Sequence, residues 1–398
     1  MINFCYNRLA MPNIGYPNLA KWTAEPFTPK WRQFDAHWPR TVPLRLTMYL
    51  DAAHIPYGVY TVADAPVGSW YPIALSWFDF TCDYFELLSM EVAMRVLKKE
   101  IKILFYYHEG DNPARIEERL HYSQLGRLLP RDCYHFVSAN TAADLLPSAT
   151  YFSEHEFFFR HVNRDQWYIN LQSPEERKYE FTALNRVHKW WRAAVMSDLR
   201  YHGILENSLW SYNGVSLKDD DYAANPIEVD VYDELWRDRM HEFVLDGPFR
   251  CDKFSKQQQN DHHEINTELY IQSYFHIVIE THFDADQSGG TFITEKTWKP
   301  IKYGQPFVVI GPAGTLQALR DAGYRVFDSA LDNSYDTIID NTQRYIAVRK
   351  VLESIQQQGA ANVYAKCIDD LHWNQRNFIT LRAVTPLNNL LEKLQCQI

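Results

Sequence analysis

The chain has 398 residues and a formal net charge of −10, with 46% hydrophobic and 23% charged side chains. That composition excludes a disordered or collagen-like chain, and the length exceeds the roughly 250–300 residues at which a single core stops growing, so two or three domains are expected. No apolar run approaches the roughly 18–20 residues of a membrane span, and Met1-Ile2-Asn3-Phe4-Cys5 does not open a signal peptide; the expectation is a soluble cytoplasmic protein without membrane partners, in the host cytoplasm if the chain is viral.

The negative total argues against a surface that grips phosphate backbones throughout, but the first fifty residues run the other way. Arg8, Lys21, Lys30, Arg32, Arg40 and Arg45 stand there against Glu25 and Asp35, interleaved with Trp22, Phe27, Trp31, Phe34 and Trp38. The six cysteines, at 5, 82, 133, 251, 367 and 396, lack C-x-x-C spacing, so reduced, buried thiols are expected rather than a zinc cluster or a disulfide framework.

From residue 71 short β-prone runs alternate with helical periods. Tyr71 to Phe80 reads as a strand. Asp83 and Glu86 form a capping pair for a helix whose Phe85, Leu88, Val92 and Val96 make one apolar stripe. Ile101 to Tyr107 is too apolar to be half-solvated and is placed inside a parallel sheet. Pro113 opens a helix to about Leu129, and Tyr134 to Ser138 is a third strand, giving βαβαβ. The charged run Glu175-Glu176-Arg177-Lys178 after Pro174 marks a linker at about 165–180. Beyond it Tyr179 to Leu184, Phe275 to Ile279 and Pro306 to Ile310 read as strands. Helices are expected along Trp191, Val195 and Leu199, over Glu295 to Tyr303 and over Thr315 to Ala322. The polar stretch Lys256 to Asn260 reads as a loop. The fold class is therefore α/β with two Rossmann-like domains, 1–170 and 171–398, facing a central cleft, where such folds bind ligands at the carboxyl ends of their strands.

The most informative segment is Thr291-Phe292-Ile293-Thr294-Glu295-Lys296-Thr297-Trp298-Lys299-Pro300, which follows Gly289-Gly290. A helix N-terminus attracts phosphate, Lys296 adds a positive charge, and Glu295 can accept from ribose hydroxyls, which together suit a nucleotide sugar. The same Thr294 and Glu295 also fit a plain helix cap.

Read with its neighbours, the segment resembles the nucleotide-binding half of GT-B glycosyltransferases, in particular the α1,3-fucosyltransferase family and related phage and viral glycosyltransferase-like proteins. The matching features are a strand ending in Glu280, Thr294-Glu295-Lys296 opening a helix, and Gly304-Gln305-Pro306 leading into Phe307 to Gly311. Upstream, Asn185, Arg192 and Leu199 fit the family's strand-ending Asn, helical Arg and following Leu. The resemblance covers about residues 180–345. It implies a donor site in which Arg192 and Lys296 hold the diphosphate, Glu295 holds the ribose, and Glu280 and Thr294 complete the set, with Arg186 and Lys189 as competitors for the phosphate. The co-substrate would be UDP- or GDP-linked, with no other cofactor and no metal. Where the family has Glu-Asn-Ser, this chain has Glu280-Thr281-His282, and the following loop is longer by Phe283-Asp284-Ala285-Asp286, so the donor sugar stays open. Asp332-Asn333-Ser334-Tyr335-Asp336 resembles the phage-like members.

For a catalytic base the loop His108-Glu109-Gly110-Asp111-Asn112-Pro113 follows a strand, and Glu109 is favoured over Asp111; the rival reading is a helix-capping turn with a solvated Glu109. One base opposite the leaving group implies inversion. The phage-like branch suggests DNA as the acceptor, specifically a hydroxymethylated pyrimidine, with Trp31, Arg32 and Trp38 as acceptor-binding residues. A saccharide acceptor and a non-catalytic nucleotide-sugar-binding protein are the alternatives, and the oligomeric state is left open. Asp219-Asp220-Asp221 and Asp261-His262-His263-Glu264 are read as solvated loops rather than metal sites, and no Gly-x-Ser-x-Gly, Walker or Gly-x-Gly-x-x-Gly motif supports another enzyme class.

Overall fold

The computed structural model describes residues 1–6, 9–10, 23–24, 45–75, 80, 83–107, 109–162, 177–185, 188–214, 234–251, 266–284, 289–379 and 385–396. They divide into two compact units. Unit 1 takes the described residues of Met1–Arg164, Asp286–Phe292 and Leu381–Ile398, and unit 2 takes those of Asp165–Ala285 and Ile293–Thr380.

Unit 1 runs β1 (Ile2–Tyr6), a two-residue ladder of β2 (Leu9–Ala10) with β3 (Thr23–Ala24), α1 (Arg45–Ala52), β4 (Tyr57–Thr61) and β5 (Ser69–Leu75). It continues through α2 (Met90–Leu97), β6 (Ile101–Tyr107), α3 (Pro113–Tyr122), β7 (Tyr134–Ser138), β8 (Ala149–Tyr151) and α4 (Glu154–Phe157). Six of its strands form one parallel sheet in the order β4-β1-β5-β6-β7-β8.

Central β6 explains why both faces need a helical cover. Ile101, Ile103, Phe105 and Tyr107 enter one core with Val92 and Val96 of α2 and Ile116 and Leu120 of α3. Leu104 and Tyr106 enter the other with Leu46, Tyr49 and Leu50 of α1. That second face is completed by the C-terminal helix Thr385–Cys396, whose Leu387, Leu390, Leu391 and Leu394 recur on one stripe and are all buried. At about 1.5–3 kcal/mol for each buried leucine, this stripe holds residues 385–396 in unit 1, although they lie within the 171–398 half of the sequence.

Two helix boundaries differ from the sequence expectations. The helix expected across Asp83 to Val96 is broken in two, because Asp83 caps a 3-10 turn at Tyr84–Leu87 and Ser89 caps α2, each side chain accepting a backbone N–H. The helix from Pro113 stops at Tyr122, and a separate 3-10 turn covers Gly126–Leu128. Gly126 fits there because a Cβ would lie 2.1 Å from the Leu120 carbonyl oxygen. The sheet also gains β1 and β4, which the reading of residues 1–70 did not foresee.

Unit 2 contains β9 (Tyr179–Asn185), α5 (Trp190–Tyr201), β10 (Ser208–Tyr212), α6 (Glu234–Asp246), α7 (Thr267–Gln272), β11 (Ser273–Ile279), α8 (Glu295–Tyr303) and β12 (Phe307–Ile310). After these come α9 (Thr315–Asp321), α10 (Asn341–Gln358), α11 (Ala360–Lys366) and α12 (Ile368–Ile379). Its four strands are parallel in the order β10-β9-β11-β12. The stripe Trp191, Val195 and Leu199 is buried, and so is every residue between Trp191 and Leu199, so that α5 is covered on all sides there.

Both sheets place their first strand between the second and the third, so the winding direction reverses beside the first strand of each. Such a switch point parts the loops at the carboxyl ends of the two neighbouring strands and leaves room for a ligand. In unit 2 the switch lies between β9 and β11. Among the described residues, no helix is long and apolar enough to cross a membrane.

Candidate functional site

At the carboxyl end of β11 the chain continues as Glu280-Thr281-His282. The Glu280 side chain is fully buried, and its carboxylate accepts from the Thr281 N–H at 3.2 Å, the Thr294 N–H at 3.2 Å, the Thr294 hydroxyl at 2.6 Å and the Thr297 hydroxyl at 2.6 Å. Glu280 therefore ties the end of β11 to the start of α8, and its negative charge balances the positive end of that helix. Thr294, the N-cap, also accepts from the Lys296 N–H at 3.4 Å, and its carbonyl accepts from the Thr297 N–H at 3.1 Å. The first turn of α8 is thus largely committed within the chain. The cationic side chains around it, rather than its N–H groups, are what an anion would meet.

Those cations converge on Glu280 and Thr281. Arg192 of α5, 3% exposed, donates from Nη2 to the Glu280 carbonyl at 2.7 Å. Lys189, just before α5, donates to the Thr281 carbonyl at 2.8 Å, and Lys296 donates to the Thr281 hydroxyl at 3.0 Å and to Thr294 Oγ1 at 3.1 Å. Lys296 also pairs with Glu295 at 3.2 Å, so the expected ribose ligand and the expected phosphate ligand are already neighbours. His282 lies in the field of all three cations. Burial, then Lys189, Arg192 and Lys296, push its imidazole down to about 3, so it is neutral at physiological pH.

The adjacent strand supplies a further polar group. Asn185 ends β9 opposite Tyr212 of β10, is 2% exposed, and has no hydrogen-bond partner for either side-chain polar atom. A buried carboxamide left unsatisfied costs free energy, and its position at the switch point suits a group awaiting a ligand. Burial raises the Tyr212 hydroxyl while the nearby Arg192 charge lowers it, and that hydroxyl is hydrogen-bonded to Nδ1 of His188. Arg192 therefore acts on both flanks of β9, on Tyr212 of β10 and on Glu280 following β11.

In unit 1 the candidate base stands in a held loop. Glu109 is half-buried just past β6. Asp111 accepts from the Tyr107 hydroxyl, and Asn112 caps α3 by accepting from the Ala114 N–H at 3.0 Å. The capping turn is therefore present, and it engages Asp111 and Asn112. Asn140, at the end of β7, donates to the Gly110 carbonyl at 2.8 Å. Phe292 packs so closely that a Cβ on Gly110 would lie 2.1 Å from its ring. Its backbone bridges to Asn140, and the Thr141 N–H donates to the Thr291 carbonyl at 3.0 Å. The segment 289–292 thus belongs to the carboxyl end of this sheet and leads in chain order to Thr294-Glu295-Lys296.

Sequence reasoning did not single out Asn140 and Phe292, since nothing local marks either as a clamp. It noted His282 only as a departure from a family pattern, although its place next to Thr281 carries the signal. Arg186, Trp31, Arg32 and Trp38 lie outside the described residues, as do Lys256 to Asn260, Asp219-Asp220-Asp221 and Asp261-His262-His263-Glu264.

No protein-family model matches the chain, and no curated protein matches it. A solved structure described as a Glycosylation Associate Protein (Gap123) complex from Streptococcus agalactiae is similar at a TM-score of 0.35 and 10% identity, over 92% of this chain. The chain spans 61% of the length of the chain it matches there.

Proposed function

We propose that the protein is a glycosyltransferase of the GT-B kind, with unit 2 holding the nucleotide diphosphate of a sugar donor. The observation that carries this is the convergence of Lys189, Arg192 and Lys296 on Glu280 and Thr281 past β11, at a topological switch point whose other strand, β9, ends in the unsatisfied Asn185. Fixed cations in a partly dehydrated site stabilise the charge that builds on a departing diphosphate, and Arg192, buried and aimed by the Glu280 carbonyl, is already in place to do so. Lys296 adds charge from the more open side, and Glu295 next to it is the candidate for the ribose hydroxyls. Glu280 and Thr294 serve this site by fixing the start of α8.

Glu109 is proposed as the base that takes the acceptor hydroxyl's proton, giving a single displacement with inversion. It is favoured over Asp111 because the resemblance to the fucosyltransferases places a Glu in such a loop. The favoured acceptor is a hydroxymethylated pyrimidine in DNA, with a saccharide as the alternative. That choice rests on the resemblance of Asp332-Asn333-Ser334-Tyr335-Asp336 to the phage-like members and on the basic, aromatic segment that carries Trp31, Arg32 and Trp38.

The test is a calorimetric titration of UDP and GDP in the presence of EDTA, followed by transfer assays with the sugar forms of whichever binds. Metal-independent binding followed by turnover that E109Q abolishes supports the proposal. Full turnover in E109Q removes Glu109, and binding without turnover on any acceptor favours a non-catalytic nucleotide-sugar-binding protein.

A further inference from the structure

Unit 2 also holds a buried guanidinium that binds backbone. Arg344, near the start of α10, is 1% exposed. Its Nε donates to the Gly311 carbonyl at 3.0 Å, Nη1 to the Ile338 and Ile339 carbonyls at 2.9 Å each, and Nη2 to the Phe283 carbonyl and to Asn341 Oδ1 at 2.6 Å each. A guanidinium carries five N–H groups in a rigid fork, and here five oxygens accept from it. It thereby joins the chain leaving β11, at Phe283, to the chain leaving β12, at Gly311, and to the entry of α10. We propose that Arg344 is a positioning residue of the donor site, which holds Phe283 against Trp191 and so keeps Arg192 aimed at the diphosphate of a nucleotide. This rests on the donor reading of that site.

The contacts run from one guanidinium to the other. The Arg344 guanidinium carbon sits over the Phe283 ring at 4.7 Å from its centroid, and Phe283 stacks on Trp191 with centroids 5.2 Å apart and planes 17° apart. The Arg192 guanidinium carbon in turn sits over the Trp191 ring at 5.4 Å. Both rings are buried. The same helix holds α5 as well, since the Tyr345 hydroxyl donates to Asp198 at 2.9 Å and Arg349 donates to it at 3.0 Å. α10 therefore grips both partners of one bond: α5, which carries Arg192, and the chain just past Glu280, whose carbonyl Arg192 meets at 2.7 Å. A guanidinium resting on an aromatic face is attracted to the ring and keeps its in-plane N–H fork for oxygens. A long side chain already held in one conformation loses less freedom when a ligand arrives, so its preparation is read as affinity. Phe283 is also the first residue of the segment by which this loop exceeds the family pattern, so the hold lies where the chain departs from that pattern.

The experiment uses the full chain, with UDP and GDP as probes, titrated calorimetrically in EDTA at low ionic strength. F283L keeps an apolar side chain and the carbonyl that Arg344 binds but removes the ring, and R344K keeps the charge but removes the fork. Each is read in two backgrounds, wild type and R192K, as a double-mutant cycle. For the nucleotide that binds, F283L should weaken affinity about fivefold and R344K about tenfold in the wild-type background. In R192K, which has no planar group to rest on Trp191, each should cost less than about twofold. A merely structural role would loosen the site equally in both backgrounds. Urea midpoints show that each variant is folded under the conditions of the titration, and if R344K is not, F283L decides alone. Unchanged affinity in F283L, or equal losses in wild type and R192K, overturns this inference and leaves the donor reading standing. Failure of both nucleotides to bind the unaltered chain overturns the donor reading and this inference with it.

Discussion

The two sheets of this chain are wound alike and charged differently where they end. In unit 2 Lys189, Arg192 and Lys296 converge on Glu280 and Thr281 at the carboxyl end of β11, and β9 ends in a buried carboxamide without hydrogen-bond partners. In unit 1 the ends of β6 and β8 lead into Glu109, Asp111, Glu154 and Glu156, and the first of these loops is clamped by Asn140 and Phe292. The same strand order thus supports one end suited to an anionic ligand and another rich in carboxylates. Winding fixes where loops meet, and the residues on the loops fix what they can bind.

The sharpest way to break this contrast is to discharge the cationic end. Arg192→Ala removes a buried guanidinium that spans β9, and nucleoside diphosphate affinity should fall about 100-fold, or about 3 kcal/mol, by calorimetry. Lys296→Ala, at a side chain 22% exposed, should cost about tenfold in the same titration. An equal loss from both would mean that burial does not grade the two contacts.

The clamp in unit 1 can be tested separately. Gly110→Ala drives a methyl into the Phe292 ring and should destabilise unit 1 by about 1–3 kcal/mol, read as a lowered denaturant midpoint with little change in donor affinity. A fully stable G110A would show that Phe292 does not hold this loop.

The histidines extend the comparison to pH. Burial pushes His135 of unit 1 down to about 4 and His276 of unit 2 down to about 3, from an ordinary 6.5. Between those values and 6.5 the unfolded chain binds more protons than the folded one, so stability rises with pH across that window and drains as the pH falls through it. Each histidine contributes at most about 1.4 kcal/mol per pH unit to the slope. Urea melts at pH 7, 6 and 5 should show falling stability, and H135Q and H276Q should each flatten the slope, or else these histidines are not buried neutral.

Much of the fold was legible from continuous apolar runs. The strands β6, β7, β9, β11 and β12 were read in place because parallel strands covered on both faces are largely apolar, as the buried edge strand β12 is. β1 was hidden at the head of a basic, aromatic stretch, and β4 is only half-buried along its whole length, so neither gave a clean period. Asp83 and Ser89 broke a helix whose apolar stripe continues unchanged across the break, a case where capping chemistry overrides periodicity. The stripe Leu387, Leu390, Leu391 and Leu394 is legible as helical, but nothing in it says which sheet it covers. At the site, Arg192, Glu280 and Lys296 were named by the resemblance to a family pattern, not by spacing or periodicity. The unsatisfied state of Asn185 and the shared attachment of two lysines to Thr281 depend on strands that are neighbours in the sheet and distant in the chain.

The central claim, that the carboxyl end of the unit 2 sheet binds a nucleoside diphosphate through fixed cations, is tested most directly by titrating UDP and GDP into the wild-type chain and R192A, both in EDTA. The prediction is saturable binding of one nucleotide to the wild type without a divalent metal and its collapse in R192A. Absence of binding to either nucleotide, or binding that R192A leaves untouched, would contradict it.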